Sequence, residues 1–301
     1  MSENVTHTGV LDDCFRLMQV SDEICDAFKE VAQSQNDFAR FGGITRSGDR
    51  FTVQLLTDFR ERWADRKPED KLEPKLAFVL GWLTHRAADR QMKPVFREAE
   101  PDRTQSPSDC SVYHDAFVFK EVFAGGKEAP YSTATFEAGM QSLPVAGALG
   151  VADVETFFRA LLQRALIELH TFIPDRDDIE PWLEKLATLR QQFYVDVDRY
   201  AAAIYRPDPV KVKRFITDVN FYDGEDPIVA ATRGIQHGEG VTASQVKEAA
   251  GAEAKSHYAQ ALQMGYGYLC AASDFFTSDM TPEALKERLD VGQPGRDGKS
   301  V

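Results

Sequence analysis

Apolar side chains recur every three or four residues along much of this chain, the spacing that places them on one face of a helix. The first such run covers residues 10–32 and the second covers 51–65. A third opens at Pro74 and ends before Pro94, since proline suits a first helical turn but lacks the amide hydrogen needed further along. The pattern predicts three amphipathic helices, the first two separated by a glycine-bearing turn at 40–50, "RFGGITRSGDR".

The rest of the chain is also helical in pattern. The proline-containing segment 98–109 is polar and predicts a loop, and Gly125 and Gly126 end the helix that follows it. Thr242 with Gln245 forms a capping-box pattern at the start of a later helix. Further helices are predicted at 110–123, 151–172, 180–205, 210–219, 243–276 and from 281 onwards.

The fold class follows from this uniformity. No convincing alternation of apolar and polar residues predicts a strand, and no internal repeat is found. The 301 residues, 43% of them hydrophobic and 28% charged, are typical of a soluble globular chain with a sizeable core. We predict an all-α, multi-helix bundle made of one domain, 1–290, with a disordered tail at 291–301.

Charge and cysteine usage exclude several classes of function. A formal net charge of −13 argues against a role in binding nucleic acid phosphates, since the two would repel each other. No apolar run reaches the roughly 20 residues that span a bilayer. The four cysteines are scattered without a CxxC pair, as expected for buried reduced thiols. The first residues contain no basic segment followed by an apolar one, so we expect a cytoplasmic protein.

The most informative candidate site lies on the third predicted helix. His85 and Asp89 are separated by one turn and share a face, so an imidazole nitrogen and a carboxylate oxygen can reach one cation. The apolar residues before His85 predict that this face is buried, and a buried carboxylate needs a compensating partner. Two interpretations stay open: a metal ion, or an internal ion pair of Asp89 with Arg86 or Arg90.

Three other positions offer weaker candidates. His114 and Glu121 are two helical turns apart and share a face, although a hydrogen-bonded core histidine is the commoner outcome. His7 precedes the predicted first helix. Asp49 ends a Gly-Ser turn, where aspartate usually serves the turn alone. The sequence contains no G-x-S-x-G elbow, P-loop or dinucleotide fingerprint.

Taken in order, these positions resemble the zinc-dependent phospholipase C family, whose helical fold is shared more distantly with zinc-dependent single-strand nucleases. The elements that carry the resemblance are "THTGVLDD", "FGGITRSGD", the G-x-x-x-H-x-x-x-D helix of Gly81, His85 and Asp89, and the later helix with His114 and Glu121. They cover about residues 5–125.

The resemblance implies a set of metal ligands and a reaction. It assigns zinc ligands, for one or more ions, to positions in this sequence: His7, Asp49, His85, Asp89 and His114, with Glu121 as a further one. Metal ions in such a site bind phosphate oxygens and lower the pKa of a water that attacks phosphorus. Asp49 would bridge metals or act as the base for that water. The implied activity is hydrolysis of a small-molecule or lipid phosphoester.

One position departs from the family pattern. Lys93 stands where many members have histidine, and a protonated lysine has no lone pair for a metal. The site would then hold fewer metals, or Lys93 would bind a substrate phosphate, or catalysis would be lost. The alternative to a hydrolase is therefore a non-catalytic helical binding or scaffold protein with a degenerate metal site.

Overall fold

The structure is a computed structural model that describes residues 4–44, 51–102, 107–126, 188, 195–196 and 198–299. The chain divides into two compact units. One is formed by Thr6–Arg103 and Arg214–Val301, and is called the main unit below. The other is formed by Thr104–Lys213 with Glu3–Val5.

All regular elements of the described residues are helical, which confirms the predicted all-α class. The α-helices are α1 (Asn4–Val20), α2 (Asp26–Ser34), α3 (Asn36–Ile44), α4 (Thr52–Arg62), α5 (Leu72–Ala99), α6 (Asp109–Glu121), α7 (Pro209–Val212), α8 (Pro227–Gln236), α9 (Ala243–Gly251), α10 (His257–Thr277) and α11 (Pro282–Arg288). Among the described residues, none of these helices has the length and apolar character needed to cross a bilayer. The predicted helix 151–172 and most of 180–205 lie outside the described residues.

The predicted first helix, 10–32, is two helices separated by a short break. The hydroxyl of Ser21 pairs with the hydroxyl of Tyr266 at 2.6 Å, and the amide of Cys25 donates to the hydroxyl of Ser273 at 2.8 Å. Side-chain hydrogen bonds of this kind compete with the helical backbone pattern. The chain therefore leaves α1 after Val20 and starts α2 at Asp26, held by contacts with α10.

The glycine pair predicted as a turn lies inside α3, and this is the largest departure from the predicted elements. A Cβ on Gly42 would lie 2.0 Å from the carbonyl oxygen of Phe78, and one on Gly81 would lie 1.9 Å from that of Ala39. Only hydrogen fits at these positions. The glycines therefore allow α3 and α5 to pack backbone against backbone, which the local sequence pattern does not reveal.

Helix α5 is the central element of the main unit. It runs for 28 residues and continues through Pro94, where the sequence predicts an end. Pro94 is buried together with the neighbouring Met92, Val95 and Phe96. Packing of these apolar side chains offsets the hydrogen bond that proline removes from the helix.

The last third of the chain forms two helices where one is predicted at 243–276. The capping box of Thr242 and Gln245 is present at the start of α9, as predicted. Helix α9 ends at Gly251, and α10 begins after Ser256, whose hydroxyl accepts a hydrogen bond from the amide of Ala259. The buried carboxylate of Asp226 accepts hydrogen bonds from both the amide and the hydroxyl of Ser256, and so fixes the start of α10.

The chain after α11, predicted as a disordered tail from 291, follows turns that are hydrogen-bonded to α5. The guanidinium of Arg90 donates to the carbonyl oxygens of Gln293 and Pro294 at 2.9 and 3.0 Å. Arg97 forms an ion pair of 2.7 Å with Asp297. Basic side chains of α5 thus hold the chain end in place through polar contacts, which apolar periodicity cannot predict.

The other unit contains α6, a helical segment at 198–205 and α7. Helix α6 starts after the capping residue Ser108. It is followed by a turn in which Gly125 has a φ of 68°, in agreement with the helix end predicted at Gly125 and Gly126. Inside this unit the hydroxyl of Tyr200 donates to the buried carboxylate of Asp115 at 2.8 Å. The carboxylate of Asp109 pairs with Arg199 at 2.9 Å.

Candidate metal centre

Two imidazoles and one carboxylate meet in the interior of the main unit. His7 is on α1, and His85 and Asp89 are on α5, with exposed fractions of 0%, 1% and 3%. The Nε2 atom of His7 lies 3.1 Å from Oδ1 of Asp89, and Nε2 of His85 lies 3.2 Å from Oδ2. Three of the predicted ligands, His7, His85 and Asp89, therefore lie together.

The position of His7 differs from the one predicted. The sequence places it ahead of the first helix, whereas α1 begins at Asn4 and contains it. Its ring stacks on that of His85, with centroids 4.2 Å apart and an angle of 22° between planes. Burial of the first turns of α1, including Val5, Thr6 and Val10, explains why the helix extends further toward the amino terminus.

A backbone carbonyl fixes the orientation of His85. Its Nδ1 atom lies 2.8 Å from the carbonyl oxygen of Gly43, on α3. A carbonyl only accepts hydrogen bonds, so Nδ1 carries the proton and donates. In the neutral ring, Nε2 then presents a lone pair toward Asp89, which also offers only lone pairs. Either an imidazolium or a bound cation resolves this contact between two acceptors.

The geometry also agrees with the dimensions of a metal site. The three ligand atoms all lie within 4.8 Å of one another. Two donors that each lie about 2.0–2.1 Å from a tetrahedral zinc ion are themselves about 3.3 Å apart. Both nitrogen–oxygen distances at Asp89, 3.1 and 3.2 Å, are close to that separation. The carbonyl of Gly43 supplies the second hydrogen bond that metal-binding histidines usually make.

The carboxylate of Asp89 has a third partner, Lys93, one helical turn further along α5. The two groups are 2.7 Å apart, and the Lys93 side chain is 30% exposed. Burial of Asp89 disfavours its charge, but the charge of His85 and the hydrogen bonds from His7 and His85 outweigh burial and hold the pKa of Asp89 well below its ordinary value. Asp89 is therefore a carboxylate, which is the form that binds metals.

The two arginines predicted as ion-pair partners of Asp89 make their contacts elsewhere. The guanidinium of Arg86 donates to the carbonyl oxygen of Asp290 and lies 5.8 Å from the ring centre of Tyr268. Arg90 donates to carbonyl oxygens in the chain end. The ion pair of Asp89 is made with Lys93, whose spacing of four residues on a helix is a recognisable signal for such a pair.

The remaining predicted ligands stay predictions. His114 lies in the other unit, fully buried on α6, with Nε2 3.6 Å from Sγ of Cys110. Glu121 ends α6 and is exposed. Asp49 lies outside the described residues. Within the described part of the chain, the group of histidine, cysteine and acidic residues that could hold a metal ion consists of His7, His85 and Asp89.

The donor set determines which cations suit the site. Two imidazole nitrogens with one carboxylate oxygen are the protein ligands of many catalytic zinc sites, and the same set with open positions also binds iron(II). The contribution of Gly43 was not predicted, because a backbone carbonyl carries no residue signature. No family model, curated protein or solved structure matches this chain.

Proposed function

We propose that this chain is a metal-dependent hydrolase of phosphoesters, with His7, His85 and Asp89 as the metal ligands. The observation that carries the proposal is the contact at His85: because Gly43 holds the Nδ1 proton, Nε2 of the neutral ring would face the Asp89 carboxylate with a lone pair on each side. A cation between these groups satisfies both. The buried position of the ligands favours a firmly held ion over an exchangeable surface one.

The substrate class is supported by the charge beside the cluster. A bound zinc ion would bind a phosphate oxygen and activate a water for attack on phosphorus. The ammonium of Lys93 is partly exposed and adjoins Asp89, so it can bind the remaining negative charge of a phosphoester. Small-molecule and lipid phosphoesters both carry this group. Asp49 remains the proposed base for the water, as the resemblance implies.

The second candidate is a helical binding or scaffold protein on the same fold without catalysis. The contact of 2.7 Å between Lys93 and Asp89 favours it, because an ammonium can neutralise the carboxylate without any metal. In that case His7, His85 and Asp89 form a buried polar network, with Lys93 at its edge, that contributes to the structure alone. Metal content distinguishes the two candidates.

Metal analysis of the purified full chain is the first test. The proposal predicts at least one zinc or other transition metal per chain, and a loss of affinity of about 100-fold or more in His85→Ala and Asp89→Ala. His237→Ala is the matched control, since His237 is exposed at the end of α8. Protein that binds no metal, and whose stability a chelator leaves unchanged, would refute the hydrolase and support the scaffold.

Activity is the second test. Bis(p-nitrophenyl) phosphate and p-nitrophenyl phosphate report on diester and monoester hydrolysis, and a short-chain phosphatidylcholine reports on a lipid substrate. The proposal predicts turnover of at least one of them that needs added metal, is lost in Asp89→Ala and is kept in His237→Ala. Bound metal without turnover of any phosphoester would contradict the hydrolase.

A further inference from the structure

A row of four basic residues runs along one face of α5, beside the metal ligands. Arg86, Arg90, Lys93 and Arg97 follow one another at intervals of four, three and four residues, which keeps them on one helical face. They are called the cation row below. A concentration of positive charge is unexpected in a chain whose formal net charge is −13.

The end of the chain covers this row. Arg90 donates to the carbonyl oxygens of Gln293 and Pro294 at 2.9 and 3.0 Å, and Arg97 pairs with Asp297 at 2.7 Å. The covering segment, residues 290–298, is called the strap below. Its contacts with the cation row are made mainly by neutral carbonyl oxygens.

The strap contributes little apolar surface to the main unit. Gln293, Pro294 and Asp297 are exposed, and only Gly295 within 292–298 is buried. The amide of Gln293 donates to the carbonyl of Asp290 at 3.0 Å, so part of the strap's bonding is internal. A segment held by polar contacts, with little buried hydrocarbon, is displaced at low cost by a ligand that makes better polar contacts.

We propose that the cation row is an anion-binding site for a diphosphate or similarly multiply charged phosphate group, and that the strap covers it until such a ligand displaces it. A hydrogen bond from a guanidinium to phosphate oxygen is charge-assisted on both sides and stronger than one to a neutral carbonyl. The planar donors that Arg90 directs at two carbonyls match two phosphate oxygens equally well.

Lys93 connects this site with the metal cluster. It belongs to the cation row by its spacing and contacts the carboxylate of Asp89 by its ammonium. The inference rests on the proposed function in one respect, namely that the anion is part of the phosphoester substrate. It adds that the substrate carries a second negatively charged group, bound by Arg90 and Arg97, beyond the one that is hydrolysed.

Anion binding is tested on the full chain stripped of metal, so that failure of the metal site and failure of the anion site are distinguished. Titration with inorganic pyrophosphate at low ionic strength should give binding that is weakened about tenfold or more in Arg90→Gln with Arg97→Gln. Arg62→Gln is the matched control, since Arg62 is an exposed arginine of the main unit that pairs with Asp58 and Asp70. Circular dichroism confirms that the variants fold.

The strap gives a second, independent measurement. Pyrophosphate should increase hydrogen exchange at the amides of Gln293 and Gly295, which are hydrogen-bonded in the covered state. Asp297→Asn removes the carboxylate of the strap while leaving the cation row intact, and should raise the affinity for pyrophosphate several-fold. Binding that is the same in the double arginine variant, or exchange that does not change, would overturn the proposal.

Binding to lipid vesicles shows whether the phosphate group comes from a soluble ligand or from a lipid. Vesicles of phosphatidylcholine with phosphatidic acid are compared with phosphatidylcholine alone, in the same variants. Binding of pyrophosphate alone assigns a soluble ligand, and added binding of acidic vesicles that depends on Arg90 and Arg97 extends the site to lipid phosphates. Binding of neither probe overturns the inference.

Discussion

The Nδ1 atom of His85 lies 2.8 Å from the carbonyl oxygen of Gly43, and this contact joins the packing of two helices to the chemistry of the site. The carbonyl is within reach because α3 and α5 meet at glycines. It fixes the proton on Nδ1 and directs Nε2 toward Asp89. The same glycine contact that builds the fold therefore prepares a metal ligand.

Gly81→Ala should be strongly destabilising. The added Cβ would lie 1.9 Å from the carbonyl oxygen of Ala39 and 2.8 Å from the amide nitrogen of Gly43, so the two backbones must separate. We expect a loss of about 3 kcal/mol or more in the free energy of unfolding, since overpacking against backbone is relieved only by moving a helix. Urea denaturation measures the loss.

Gly267→Ala is the control for this substitution. Gly267 lies within α10, is exposed, and has nothing within 4 Å of the added Cβ. Alanine there should stabilise the protein by about 0.5–1 kcal/mol through helix propensity. Equal effects of the two alanines would show that the contact between α3 and α5 is not tight.

The part of the candidate site that lies on α5 could be predicted from the sequence. The pairing of His85 with Asp89 follows from helical spacing, which is a local property, and so does the burial of α5. The helical state of Gly42 is not local, because glycine is unfavourable in a helix unless another backbone packs against it. The continuation of α5 through Pro94 likewise depends on packing with distant residues.

The ion pair of Lys93 was predictable from spacing alone. Asp89 followed four residues later by Lys93 is a standard helical pair. The predicted partners, Arg86 and Arg90, are closer in sequence but donate to carbonyl oxygens of the chain end. The stacking of His7 on His85 was less accessible, because it depends on the angle at which α1 crosses α5. Such crossing angles follow from packing and not from the pattern of one helix.

Lys93→Met should increase the affinity for zinc by about tenfold. The ammonium lies 2.7 Å from Asp89, so a divalent cation bound there is repelled by it across a partly exposed, moderately screened site. Competition titration against a fluorescent zinc indicator measures the change.

The control for Lys93→Met is Lys75→Met on the same helix, where the ammonium donates to the carbonyl of Asp70. A weaker affinity in Lys93→Met would instead mean that Lys93 orients the carboxylate.

The stability of the metal-free protein should depend on pH through Asp89. Burial opposes its charge, but His85 and His7 hold its folded pKa well below the unfolded value of about 3.9. A carboxyl with a lowered folded pKa stabilises the fold at pH above its unfolded pKa, and the stabilisation is lost as pH falls through the folded pKa.

Asp89→Asn measures this contribution. At pH 7 we expect the variant to be less stable by about 3–5 kcal/mol, since the substitution leaves the Lys93 ammonium and two buried imidazoles without their carboxylate. The difference from wild type should shrink below pH 4. Asp58→Asn, an exposed aspartate paired with Arg62, should show almost no difference at any pH. A constant difference from pH 7 to pH 3 would contradict the assignment.

A buried carboxylate on α1, Asp13, should be the main polar anchor between α1 and the last third of the chain. It is 0% exposed, accepts the hydroxyl of Tyr258 at 2.9 Å, and pairs with Arg16 and Arg233. Asp13→Asn should lower the free energy of unfolding by about 3–5 kcal/mol, because two arginines lose a buried counter-charge. Tyr258→Phe removes one hydrogen bond and should lower it by about 1–2 kcal/mol.

A double-mutant cycle of Asp13→Asn and Tyr258→Phe, analysed by urea denaturation, should give a coupling energy of about 1 kcal/mol between the two residues. Additive effects would show that the hydroxyl of Tyr258 does not stabilise the Asp13 carboxylate. Because α1 also carries His7, loosening this anchor should weaken zinc binding in Asp13→Asn more than in Tyr258→Phe.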